Sequence, residues 1–114
     1  MPTPTIAPLA GLRALYEDLH AHPELSFQEH RTAGIAADRL EAVGYTVTRG
    51  VGRTGVIGVL DNGDGPTVLC RADMDALPVT EETGLPYAST ARGVDADGND
   101  VGVAHACGHD LHVT

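Results

Sequence analysis

The sequence predicts an α/β domain. Residues 9–43 hold two successive stretches with apolar residues at helical spacing. Residues 45–71 then change to short β-rich runs punctuated by glycine. The segments richest in Asp, His and Cys, 71–78 and 105–112, each follow such a run. In open α/β sheets, functional groups gather at the carboxyl ends of strands.

Taken in order, Met1 to Pro8 alternates Pro and Thr and reads as a frayed lead-in. Leu9, Leu12, Leu15, Tyr16 and Leu19 recur with helical period, which predicts an amphipathic helix over about 9–21. His22-Pro23 ends it, because the residue before proline is pushed out of the helical region. His20 falls near that helix C-terminus, and the polar knot of His20, His22 and Glu24 reads first as helix termination. Ser26-Phe-Gln-Glu29 has the spacing of a capping box and opens a second helix. Ala33, Ala36, Leu40 and Val43 form its buried stripe, and Gly44 suits a left-handed stop.

Tyr45 to Thr48 predicts a short strand. Val56–Leu60 and Thr67–Arg71 predict two more, joined by a hairpin turn at Asn62-Gly63. Val68-Leu69-Cys70 is apolar without alternation, as expected of a central strand covered on both faces, with Cys70 in the core. Residues 81–100 are polar and turn-rich, and Val101–Ala104 predicts a last short strand running into the His/Cys cluster. No internal repeat or domain boundary stands out.

Composition narrows the function. The 114 residues make one small domain or part of a larger one. A net charge of −9, from 7 basic and 16 acidic residues, argues against nucleic acid and anionic membrane surfaces, which need a basic face. With no basic residue before Arg13 and no long apolar run, neither a signal peptide nor a membrane span is expected. A cytoplasmic location follows as an expectation, with Cys70 and Cys107 as free thiols.

Two segments can carry chemistry. In Arg71-Ala-Asp-Met-Asp-Ala-Leu-Pro78, Asp73 and Asp75 are two apart and project to one side of an extended stretch. One carboxylate can then ligate or orient while the other accepts a proton; the plainer reading is a pair of turn caps. His105-Ala-Cys-Gly-His-Asp-Leu-His112 packs three imidazoles, a thiol and a carboxylate into one octapeptide. Thiolate and imidazole both suit zinc-like ions. If a helix starts near His109, that residue and His112 share a face, and Asp110 could accept the second N–H of a metal-bound histidine. A structural zinc fits less well, because no second Cys/His knuckle is present. A redox role for Cys107 lacks a Cys-x-x-Cys partner. Gly50-Val-Gly52-Arg-Thr-Gly55 matches a dinucleotide fingerprint, but a strand follows it where a helix is required, so it reads as a connection.

Together, His22-Pro-Glu-Leu-Ser26, Arg71–Pro78 and His105–His112 resemble the N-terminal part of the metal-dependent amidohydrolases. These include hippurate hydrolase, N-acyl-amino-acid and N-acetyldiaminopimelate deacylases and auxin-conjugate hydrolases, a branch of the aminoacylase/carboxypeptidase metallopeptidase family. The resemblance covers nearly the whole chain. It implies that residues 1–114 are the N-terminal portion of a zinc-peptidase-like catalytic domain, with helices packed on a mixed sheet. The lid domain, the second half of the sheet, the remaining metal ligands and a Glu-Glu general base are then expected beyond Thr114; Glu81-Glu82 precedes the metal motif and is misplaced for that role. Cys107 and His109 are the implied metal ligands and Asp75 the acidic residue that orients the centre. The related branches have a His where Asp73 stands. The implied cofactor is a divalent metal (Zn, Mn or Ni), two ions in the full-length enzyme. The implied substrate is an N-acyl amino acid, and a homo-oligomer is an open option for the full-length enzyme. The chain alone is expected to be inactive and to bind metal weakly. The alternative is a non-enzymatic metal-binding or structural remnant.

Overall fold

The computed structural model describes residues 9–114, so the expected lead-in over residues 1–8 lies outside the described residues. The elements in chain order are α1 (Leu9–Ala21), α2 (His30–Ala42), β1 (Thr46–Val51), β2 (Gly55–Val59), β3 (Arg92–Val94), β4 (Asp100–Gly102) and α3 (His109–Val113). The mix of helix and sheet is the expected α/β class. Among the described residues, the strands form two antiparallel pairs, β1–β2 and β3–β4.

Helix α1 has the predicted bounds and buries Leu15 and Leu19. It ends at the predicted place, and the exposed His22 side chain reaches back to the Asp18 carbonyl oxygen at 2.8 Å. Helix α2 starts later than expected. Ser26 does not cap it; Phe27 has φ +63°, and Ser26 Oγ instead donates to Asp75 Oδ2 at 2.5 Å. The capping acceptor is Glu24. Its carboxylate receives the Arg31 N–H at 2.8 Å, and the Thr32 N–H and hydroxyl at 2.7 Å each. A glutamate six residues before the first helical residue therefore satisfies donors that the capping box was expected to serve. The C-terminus is as predicted. Gly44 has φ +94°, its N–H reaches the Glu41 carbonyl, and the Tyr45 N–H reaches that of Leu40, a Schellman arrangement.

The predicted hairpin between residues 56–60 and 67–71 does not form. β2 pairs with β1 instead, with Thr46 opposite Val59 and Arg49 opposite Val56. The Gly50–Gly55 segment makes the turn, with an irregularity at Gly50, where φ is +73°. The false dinucleotide fingerprint is thus a hairpin connection. It closes a shorter loop than residues 61–66 would, at lower entropic cost. Asn62-Gly63 forms only a local turn, held by Asp61 Oδ1 on the Gly63 N–H. A doubly covered strand needs neighbours on both edges and both faces. Residues 67–71 have neither among the described residues, so Val68 (81% exposed), Leu69 (87%) and Cys70 face outward. The expectation that Cys70 is a core residue is therefore corrected. Gly58 lets α2 lie close on the hairpin; a Cβ there would stand 3.1 Å from Leu40 Cδ1 and Tyr45 Cδ1.

The segment that matters most for chemistry is stitched in by isolated bridges. Leu25 pairs in parallel with Ala76, and Leu77 pairs antiparallel with Ala104. Leu25, Ala76 and Val103 pack as a small apolar core beneath these bridges, flanked by Ala91 and Val101. The predicted strand before the His/Cys cluster is present as β4, shorter than expected. It pairs with β3, which lies inside the stretch read as turns.

Candidate metal centre

The bridges fix Asp75 between residue 26 on one side and residue 109 on the other. Gly108 turns the chain with φ +79°, and α3 begins at His109. His109 Nδ1 lies 2.8 Å from the Asp75 carbonyl oxygen and 2.9 Å from its Oδ1. Both neighbours are acceptors, so Nδ1 carries a proton. This is the carboxylate–histidine pairing that orients metal-binding imidazoles in general. The Ser26 hydroxyl holds the Asp75 carboxyl below its ordinary pKa, against partial burial, and the His109 contact adds to the effect.

On the other side of the ring, His109 Nε2 faces Asp73 Oδ2 at 4.0 Å. The two aspartates thus flank one imidazole, Asp75 at Nδ1 and Asp73 toward Nε2. As α3 anticipates, His112 shares the His109 face and stacks on it with ring centroids 5.1 Å apart. One ligand atom each from Asp73, His109 and His112 lies within 4.8 Å of the others. Bond lengths of about 2.0–2.2 Å put neighbouring ligand atoms roughly 3–4 Å apart, so a divalent cation fits with small adjustments. Asp73 also pairs with Arg71 Nη2, a contact that a cation would compete with. Cys107 is exposed and free, and its thiol is outside this group of converging atoms.

His105 supports an incomplete polar site. It is buried, and neither ring nitrogen has a hydrogen-bond partner among the described residues. Burial pushes its pKa down, which favours the neutral ring. A buried imidazole with both nitrogens unsatisfied is costly unless a further group completes its surroundings.

Asp110 does not serve His109, contrary to the reading that made it an outer acceptor. It turns to the opposite face of α3, is buried, and accepts from His20 Nδ1 at 2.7 Å. Glu81 accepts from His20 Nε2 at 2.9 Å. This buried clasp escaped a reading of the sequence. One signal was there: His20 follows Tyr16 by four residues, on the apolar stripe of α1. A polar group on a buried stripe needs a partner.

The chain is similar to known proteins in sequence and in fold. Residues 69–114 match the model of peptidase family M20/M25/M40. The chain is 42% identical over 113 residues to hippurate hydrolase of Campylobacter jejuni, covering 97% of this chain and 27% of that protein. It is 42% identical over 95 residues to an N-acyl-L-amino acid amidohydrolase of Geobacillus stearothermophilus, covering 82% and 23%. The YxeP protein of Bacillus subtilis, described as a dinuclear metal-binding peptidase of the M20 family, superposes with a TM-score of 0.75 at 40% identity. That match covers 91% of this chain and 27% of the YxeP chain.

The match to the M20/M25/M40 family lies in residues 69–114, and the chain is similar to members of that family. It spans about a quarter of the length of the relatives just described. No described helix is long and apolar enough to cross a membrane.

Proposed function

We propose that this chain supplies one wall of the metal centre of an M20 enzyme that hydrolyses the amide bond of N-acyl amino acids. The observation that carries the reading is the convergence of Asp73, His109 and His112 on one side of an imidazole whose other nitrogen is locked on Asp75. A bound divalent cation of the Zn, Mn or Ni class would polarise the scissile carbonyl and acidify a water. This chain's residues would position that ion. His109 would offer Nε2, and Asp75 would hold its ring and tautomer. Cys107, just across the Gly108 turn, would add a soft donor that favours such ions over Ca²⁺ or Mg²⁺.

The substrate class rests on relatives named for hippurate and N-acyl-L-amino acids. The free thiols of Cys70 and Cys107 suit a cytoplasmic setting. With three converging donors and no general-base glutamate beside them among the described residues, we expect the 114-residue chain alone to bind metal weakly and hydrolyse nothing.

A chimera tests the reading. The N-terminal quarter of Campylobacter hippurate hydrolase is replaced by this chain. The chimera should hydrolyse hippurate and lose that activity with His109→Ala. A folded, metal-loaded chimera without activity would sink the proposal. For Cys107, a Co²⁺ titration should show a thiolate-to-metal charge-transfer band that Cys107→Ser abolishes. Its absence from the parent would remove Cys107 from the ligand set.

A further inference from the structure

The His20 clasp lies behind the candidate centre and has no part in binding an ion directly. His20 is 7% exposed and Asp110 3%. Each ring nitrogen of His20 faces a carboxylate oxygen, at 2.7 and 2.9 Å, and serving both takes two N–H donors. Tyr16 and Tyr87 wall the ring at centroid distances of 5.6 and 5.4 Å. Glu81 is itself pinned by the Thr83 hydroxyl and the Ser89 N–H, both at 2.6 Å. The clasp therefore ties α1, the 81–89 loop and α3 to one another.

Helix α3 has five residues, too few to hold its own orientation. Asp110 is its inward anchor, while His109 and His112 point the other way toward Asp73. On so short a helix, fixing the inner side chain fixes where the outer ones aim. Net stability is a weak reason for such a clasp, because desolvating buried charges offsets most of their attraction.

We propose that His20 is a positioning residue for the metal centre, aiming His109 and His112 through its bond to Asp110. This rests on the metal-binding reading above. The test is a Co²⁺ titration of the hippurate hydrolase chimera, parent and variants alike, followed by d–d absorption. His20→Gln should weaken Co²⁺ binding by roughly 10–100-fold, the usual range for outer-sphere partners, and should alter the d–d spectrum. Leu19→Ala, a neighbouring core truncation on α1 that leaves the clasp intact, should destabilise the fold without moving either readout below its melting transition.

Equal affinity in folded His20→Gln and the parent overturns the positioning role alone. A comparable affinity loss in Leu19→Ala does the same, because it makes the effect structural. No Co²⁺ binding by the parent overturns the metal reading and this inference with it. If His20→Gln does not fold, Glu81→Gln decides. There His20 can donate from Nδ1 to Asp110 and accept at Nε2 from the new amide, so affinity should stay within about threefold. A tenfold loss would show that the Asp110 arm does not do the aiming.

Discussion

At the residue scale, Asp75 does the most. Its carboxylate accepts from Ser26 on one oxygen and from His109 on the other, and its carbonyl takes a second contact from the same imidazole. Asp75→Asn keeps the shape but can leave His109 in the wrong tautomer. Metal affinity should fall by roughly 10–100-fold with secondary structure unchanged, as measured by competition with a chromophoric chelator. The second residue-scale prediction concerns pH. Burial lowers the His20 pKa, but Glu81 and Asp110 outweigh it, and the net direction is upward from 6.5. A group whose pKa is raised on folding stabilises fully below its unfolded value and loses that contribution as pH rises through its folded value. The stability gap between the parent and His20→Gln should thus be widest below pH 6.5 and narrow above it. Urea unfolding across a pH series would show this; a gap that widens with pH would refute it.

At the scale of elements, α1 and the stop of α2 were legible because local chemistry decides them: an apolar stripe, a proline, and a glycine at positive φ. The start of α2 was not, because Ser26, with a plausible local role as its cap, was claimed from elsewhere. Ser26 serves Asp75, forty-nine positions away, and Glu24 takes over as cap. Removing three acceptor contacts by Glu24→Ala should cost roughly 1–2 kcal/mol, read from the urea midpoint at constant slope. Ser26→Ala should leave helix α2 intact by circular dichroism while loosening Asp75. The strand misassignment has a similar origin. The apolar run at 68–70 announces burial on both faces, but only other segments can supply the covering, and sequence pattern cannot say whether they are there. The octapeptide's density of ligands was legible. Its division into an inward half, His105 and Asp110, and an outward half, His109 and His112, was not, because the Gly108 turn and the clasp set it.

For the whole molecule, the core is small. Leu15, Leu19, Leu25 and Val103 are the buried apolar residues larger than alanine among those described. The radius of gyration is 15.8 Å, against roughly 13 Å for a compact domain of this length. Val68 and Leu69 stand exposed on an unpaired extended stretch, a form that invites edge-to-edge association. Leu69→Lys should therefore lower self-association in sedimentation velocity without changing the circular dichroism spectrum. An unchanged sedimentation profile in a parent that does associate would place the sticky surface elsewhere.

The clasp and the bridges also dictate an order of assembly. His20 and Asp110 are ninety positions apart, Ser26 and Asp75 forty-nine, His109 and Asp75 thirty-four. The β1–β2 hairpin and α2, by contrast, are neighbours in sequence. Contacts across long loops form late, because the closure entropy must be met before they contribute. On a ribosome, the helix–hairpin unit can fold while the rest is still being made. The centre cannot close until His112 has emerged, so a nascent chain can pass through a stage with a folded hairpin and an open site.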